Sequence, residues 1–332
     1  MNILVLTSNP GHASFRQRIE AYLDILRDNG IKCDIARFPS GCLSRWKLFR
    51  KSTEYDAVFL QKKCLNPLDS FWLRRYADRV IYDFDDAVIY SDKNPDKTSR
   101  KRQTSFRRTV KLSDMVIAGN SYLADLARVS NQNVKVLATG LDVSSYRQDI
   151  ARPSDGKVRL VWIGSKSTLG YLAEIKPVLE EIGARCNNVV LRIICDSFFD
   201  LHNMNVEKHR WAVETQVQDL MAGDIGLAPL PDNRFTNGKC GFKILQYAAA
   251  GLPVIASPVG VNVEYVRQGE NGFLAANHSQ WFEKILLLQQ HPLLRKKMGL
   301  AGKSCVERFD LKILGKELVS LIKSCPKTWR KS

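Results

Sequence analysis

Short apolar runs recur along this chain, and the stretches between them place their apolar residues at helical spacing. Such alternation is the pattern of parallel strands covered by helices, because a strand buried on both faces reads as a continuous apolar run. In the first part the strand-like runs are Met1–Leu6, Lys32–Phe38, Asp56–Gln61, Val80–Phe84, Met115–Ala118 and Asn133–Ala138. Phe15, Ile19, Tyr22, Leu23 and Leu26 predict one helix from Ser14 to Asn29, stopped by Asn29-Gly30. Between Asp142 and Lys157 the periodicity is interrupted by serines, Pro153 and Gly156, and it restarts at Val158–Ile163. Val189–Cys195, Ile225–Pro229 and Pro253–Ala256 continue it, and a helical run from Gln280 to Lys323 closes the chain. The reading is α/β. It comprises a first parallel-sheet domain over 1–142, a linker over 143–157, a second sheet domain over 158–310, and a helix over 311–332 that packs back on the first. Ligands of open sheets bind at the carboxyl ends of the strands, so a cleft between the halves is the expected site.

At 332 residues with 45% apolar and 25% charged side chains, a disordered chain and a small disulfide scaffold are both excluded. The formal net charge of +16 draws the chain toward polyanions, namely nucleic acid, an anionic membrane face or phosphorylated substrates. None of the eight cysteines forms a Cys-x-x-Cys or stands with His at zinc-ligand spacing, so they read as reduced thiols in a cytoplasmic protein. No basic leader precedes the apolar start, and no run of 18 apolar residues occurs.

Asp224 to Gly260 is the most informative stretch. A buried strand ends in Pro229-Leu230-Pro231, a polar loop carries Asn237-Gly238, and a helix is expected to start near Cys240. Unbonded N–H groups and the positive dipole end of that helix make Gly238-Lys239-Cys240-Gly241 a phosphate cradle. Lys239 and Lys243, one turn apart, are expected to add two cations to it. Ala248, Ala249, Ala250 and Gly251 give the helix a smooth surface for the following strand. The alternative for the two lysines is an ordinary solvated pair.

Gln246 to Ala256, QYAAAGLPVIA, resembles the donor-binding signature of GT-B glycosyltransferases, in particular the large retaining group of family four. There a Glu-x₇-Glu element precedes an Ala-rich helix and a Gly-x-Pro-Val-Ile-Ala strand. Thr139-Gly140-Leu141-Asp142, Asn271-Gly272-Phe273-Leu274, Met298-Gly299 to Phe309 and Val116 to Ser121 match further family elements in the right order. The resemblance implies a GT-B fold of two Rossmann-like domains facing each other across a cleft, and retaining transfer of a sugar from a nucleotide-diphosphate donor without metal or other cofactor. It maps the donor site onto Gly164, Lys166, Asn237, Gly238, Lys239, Cys240, Gly241, Phe242, Lys243 and Gln246. Gln246 stands where the family's second glutamate holds the ribose, and its amide can still serve. Gly238 stands where the first glutamate meets the sugar, which leaves Asn237 or Asp232 for that contact. Ser165 and Gly170 replace the arginine and lysine of the Gly-Arg…Lys element, so Lys239, Lys243 and Lys166 are expected to neutralise the diphosphate instead.

In the first domain, Asp83, Asp85 and Asp86 end a buried strand. A Mg²⁺ site is one reading of Asp-x-Asp-Asp, but that metal motif belongs to a different glycosyltransferase fold, and no metal is expected here. Acceptor binding or a base-like role for Asp85 or Asp86 is preferred, alongside Lys243 as the charge-stabilising catalytic group. His12 and Arg16, in the turn after the first strand, and Asn120 are candidates for phosphate or acceptor. Ser44 to Lys51 interleaves Trp46, Leu48 and Phe49 with four cations, as a helix lying on an anionic membrane would. No nucleic-acid motif accompanies it, so no specific nucleic acid is expected. The expected activity is transfer to a glycan or lipid-linked acceptor in cell-surface polysaccharide (lipopolysaccharide-type) biosynthesis, on the inner face of the membrane. The alternatives are a non-catalytic basic scaffold of the same fold that binds anionic polymer, and a nucleotide-sugar epimerase.

Overall fold

The computed structural model describes residues 1–150 and 153–327. Residues 151–152 of the expected linker and 328–332 of the C-terminal segment lie outside the described residues. The chain divides into two units. One comprises Met1–Gly140, Asn233–Cys240 and Phe309 onward; the other comprises Leu141–Asp232 and Gly241–Arg308.

Six parallel strands build the first unit: β1 (Asn2–Thr7), β2 (Lys32–Arg37), β3 (Ala57–Gln61), β4 (Val80–Phe84), β5 (Met115–Ala118) and β6 (Val134–Val136), in the order β2-β1-β3-β4-β5-β6. β3, β4 and β5 are buried along their whole length, as their unbroken apolar sequences require. On one side their core takes in Phe49, Leu73, Phe106 and Val110 from the crossover helices. The expected single helix over Ser14–Asn29 is instead three short pieces, Ala13–Arg18, Glu20–Tyr22 and Leu23–Asp28. The break lies at Ile19 (φ −127°, ψ −61°), directly after Arg18, whose side chain is drawn into the interior by an ion pair. The Leu311–Ser324 helix also belongs to this unit, its Gly315 lying against Ile25 and Tyr22.

The second unit repeats the plan with β7 (Val158–Ile163), β8 (Val189–Cys195), β9 (Asn205–Arg210), β10 (Ile225–Ala228), β11 (Val254–Ala256) and β12 (Gly272–Leu274), ordered β12-β11-β10-β7-β8-β9. Two of these strands escaped the sequence reading. β9, NVEKHR, is a polar edge strand without an apolar run, and β12 is a three-residue strand inside the Asn271–Leu274 turn. The helical run over Gln280–Lys323 is three helices, His278–Gln290, Pro292–Val306 and Leu311–Ser324. Pro292 opens the second and the Asp310 carboxylate caps the third, so local chemistry cuts a pattern that periodicity alone joins.

Ala248 and Gly251, at the end of the Phe242–Ala249 helix, lie against the Pro292–Val306 helix. A β-carbon on Gly302 would touch Ala248, and one on Gly299 would overlap the carbonyl of Gly251. Toward the sheet the same helix presents Tyr247, whose ring occupies the space above Gly226 of β10.

Candidate functional site

In each sheet the chain runs outward in one direction from a central strand and then returns to run in the other. The reversal falls between β1 and β3 in the first unit and between β7 and β10 in the second. Loops leaving the carboxyl ends of such strand pairs diverge and leave a crevice, which is where open α/β sheets bind ligands.

At the first reversal a chain of polar side chains links three strands. The Thr7 hydroxyl, ending β1, donates to Gln61 Oε1 at 2.8 Å, and Gln61 Nε2 donates to Ser14 Oγ at 3.1 Å. Ser14 Oγ donates in turn to Asp85 Oδ1 at 2.7 Å. The ammonium of Lys62 lies 3.2 Å from Asp85 Oδ1 and is bonded to Asp86, whose other oxygen accepts from Lys239 Nζ at 3.0 Å. Lys62 is the one non-glycine with positive φ (+58°) among the described residues, a backbone state that costs about 1–2 kcal/mol. Its N–H donates to the carbonyl of Asp83 at 2.7 Å, so the strained turn is what aims the ammonium at the two carboxylates. Burial alone would depress the Lys62 pKa, but Asp85 and Asp86 overcome that and raise it. Burial likewise pushes Asp86 up, and the two lysines, Lys239 first, outweigh it and hold the carboxyl below its ordinary range. Behind this network, Arg18 and Asp83 form a fully interior ion pair, and Arg18 Nη1 also donates to Leu137 O at 2.6 Å.

Of the residues expected on this side, Asp85 and Asp86 therefore enter the cluster. Arg16 instead folds back to the carbonyl of Gly11 at 2.9 Å, and His12 is exposed at the start of the Ala13–Arg18 helix. The interior arginine is Arg18, two residues further along the chain than Arg16. Asn120 is buried and caps the Ser121–Arg128 helix through Leu123 N at 2.9 Å, while its Nδ2 donates to the carbonyl of Lys239 at 3.1 Å.

That last bond belongs to a feature the sequence did not reveal: Asn233–Cys240 groups with the first unit. Tyr122 Oη donates to Arg234 O at 3.0 Å, and Cys240 Sγ donates to Asp85 O at 3.2 Å. Asn237 closes its own loop through Asn233 O at 2.9 Å. A β-carbon on Gly238 would stand 2.7 Å from that of Ala87, so the glutamate of the family pattern has no room in this arrangement. Burial, with Asp85 adding to it, lifts the Cys240 thiol to about 12, so it stays protonated and serves as a packing group. Of the two lysines expected in the cradle, Lys239 is bound by Asp86 and groups with the first unit, and Lys243 groups with the second.

At the second reversal the Phe242–Ala249 helix follows β10. It begins at Phe242, near Cys240 as expected, directly after Gly241 in the left-handed conformation (φ +63°). A side chain at Gly241 would also press on Val261 and Tyr265. Lys243 Nζ lies 5.3 Å from the centroid of the Trp162 indole, near the end of β7. Gly164 follows, where a β-carbon would run into Trp162 and Thr168, and Lys166 is exposed in a turn capped by Ser165 and Thr168. Phe242 is half-buried. Gln246 is buried, with Nε2 3.4 Å from Gln216 Oε1 and a further hydrogen bond to the Tyr146 phenol. The helix N-terminus, one ammonium at its first turn and a glycine turn after β7 form an anion-accepting set.

Within Ser44–Lys51, Trp46 and Leu48 are half-buried and Phe49 lies in the interior. Phe49 is fully buried between Phe38 and Trp72, Trp46 Nε1 donates to Tyr76 Oη at 3.3 Å, and Leu48 packs on the same core.

Residues 144–291 match the family described as glycosyl transferases group 1. No curated protein matches the chain. Among solved structures, Anabaena HepE in complex with UDP is 19% identical with a TM-score of 0.70, over 98% of this chain and 100% of that one. A glycosyltransferase from Rickettsia africae is 14% identical with a TM-score of 0.74, over 99% of both chains. WaaG, described as a glycosyltransferase involved in lipopolysaccharide biosynthesis, is 13% identical with a TM-score of 0.65, over 97% and 100%. The fold is GT-B, two Rossmann-like parallel-sheet domains, and the group 1 match falls largely on the second of them.

Proposed function

We propose that this protein is a retaining glycosyltransferase that takes a nucleotide-diphosphate sugar on its second unit and transfers the sugar to a glycan or lipid-linked acceptor held by the first. The observation that carries the reading is the coincidence of the group 1 match with the anion-accepting set at the β7/β10 reversal. The bound UDP of HepE supports the donor class, and the lipopolysaccharide role of WaaG supports an acceptor in cell-surface polysaccharide biosynthesis.

In this mechanism the diphosphate lies against the N-terminus of the Phe242–Ala249 helix. There the helix dipole and Lys243 take up the negative charge that grows on the leaving group, in place of a metal. The bond between the anomeric carbon and the diphosphate oxygen breaks as the acceptor oxygen bonds to the same face of that carbon, and the acceptor proton passes to the departing phosphate. Gln246, with Gln216 and Tyr146 setting its amide, holds the ribose. Asp85, polarised by Ser14 and Lys62, accepts a hydrogen bond from the acceptor hydroxyl and orients it.

Incubation with a panel of radiolabelled nucleotide sugars tests the proposal. A transferase slowly hydrolyses one of them without acceptor, an epimerase interconverts two, and a scaffold does neither. Lys243→Ala is expected to lower turnover by about 10²–10³-fold with the fold intact; an unchanged rate contradicts the role given to it.

A further inference from the structure

Three successive helices of the first unit, Cys42–Lys51, Pro67–Tyr76 and Arg100–Leu112, carry twelve lysines and arginines and one carboxylate. That carboxylate, Asp69, is 2% exposed and taken by Arg45 at 2.9 Å, so none of the three helices presents a negative charge outward. The first packs on the second and the second on the third, and all three cover the same core through Phe49, Leu73 and Phe106. Lys47, Lys51, Arg75, Lys101, Arg107 and Lys111 stand on the exposed side. Lys47 with Lys51 and Arg107 with Lys111 are like charges one turn apart, an arrangement that costs stability in water and is relieved by an anionic surface.

Charge alone does not separate a lipid bilayer from a soluble polyanion. The apolar side chains of the same face do. Leu43 is 76% exposed, Leu68 45% and Phe71 63%. Leu43 and Leu68 are each the second residue of their helix, and the Arg45–Asp69 ion pair ties those two first turns together. Phe71 follows on the next turn. A polyanion in solution gains nothing from three bare hydrocarbon tips, whereas a bilayer accepts them beneath its phosphates while cations meet the headgroups.

We propose that this three-helix face docks the protein on an anionic lipid surface, with Leu43, Leu68 and Phe71 entering the headgroup layer. Phe49, which the sequence alone would choose for that task, is not an inserting residue, because it is buried in the core, and Trp46 is half-buried with its Nε1 bonded to Tyr76.

Co-sedimentation of the full chain with vesicles tests this without any assay of turnover. Vesicles of phosphatidylcholine with about one-third phosphatidylglycerol are expected to bind it, and vesicles of phosphatidylcholine alone are not. Binding should fall steeply between 0.05 and 0.5 M salt, since the Debye length shrinks from roughly 14 to 4 Å. Lys101→Glu/Arg107→Glu/Lys111→Glu is expected to weaken it by at least about tenfold. Leu43→Ser/Phe71→Ser is expected to weaken vesicle binding several-fold while leaving binding to soluble polyphosphate unchanged; a circular-dichroism melt confirms folding of both variants. Equal binding to both kinds of vesicle, no vesicle binding, or a Leu43→Ser/Phe71→Ser variant that holds vesicles like the native chain overturns the proposal. The last result, with polyphosphate still bound, assigns the face to a soluble polyanion instead.

Discussion

Asp86 accepts from two ammonium groups, and its acid–base behaviour follows from them. Lys239 and Lys62 outweigh the effect of burial and lower its pKa below that of a free carboxyl. A group whose folded pKa is depressed contributes stability that is present above its unfolded value, about 4, and lost as pH falls through its folded value. Asp86→Asn should therefore be less stable than the native chain in urea at pH 7, with the gap closing at the acid end. A gap of equal size at pH 7 and at pH 3 contradicts the assignment. Arg18 makes a different prediction, because its partner Asp83 is almost wholly buried. Arg18→Met strands an interior carboxylate and should cost roughly 3–5 kcal/mol, whereas Arg18→Met/Asp83→Leu should recover most of that loss. Urea midpoints at constant slope measure both. Neither role was legible in the sequence. Arg16 and Arg18 look alike in a first turn, and which of them meets Asp83 depends on a carboxylate 65 positions away.

Elements were the best-read level, and their failures have physical causes. β4, β5, β7 and β8 coincide with their apolar runs because all four are buried on both faces, where composition and position are tightly linked. β9 lies at the sheet edge and needs no such run, so its polar sequence gave no sign of it. The loop of Asn233–Cys240 was legible as a loop, yet its companions in the first unit were not. Those companions, Asp85, Ala87, Asn120 and Tyr122, lie more than a hundred residues away in the chain. The small-residue surface of the Phe242–Ala249 helix was expected against the following strand, and Ala248 and Gly251 also meet the Pro292–Val306 helix, since periodicity names a face and not all that covers it. The contact with the Pro292–Val306 helix gives a direct test. Gly299→Val places a branched side chain against the Gly251 carbonyl and should destabilise by about 1–3 kcal/mol, while Gly170→Ala, with open space around it, should be near neutral.

Across the whole molecule, two sheets of the same plan each reverse direction at one point, and each reversal gathers the polar groups that the sequence could only nominate singly. In the first unit those groups are carboxylates steadied by lysines; in the second they are a helix N-terminus and Lys243 beside Trp162. In the proposed function and the proposed docking, the net charge of +16 would serve both a phosphorylated donor and, through the three-helix face, an anionic surface. Calorimetric titration of the native chain and of Lys243→Ala with UDP, GDP, ADP and CMP is the decisive measurement. One nucleotide should bind the native chain, and Lys243→Ala should bind it at least about tenfold more weakly at an unchanged melting temperature, as loss of a charge-assisted contact requires. Binding of none of the four, or equal binding by the variant, would contradict the account.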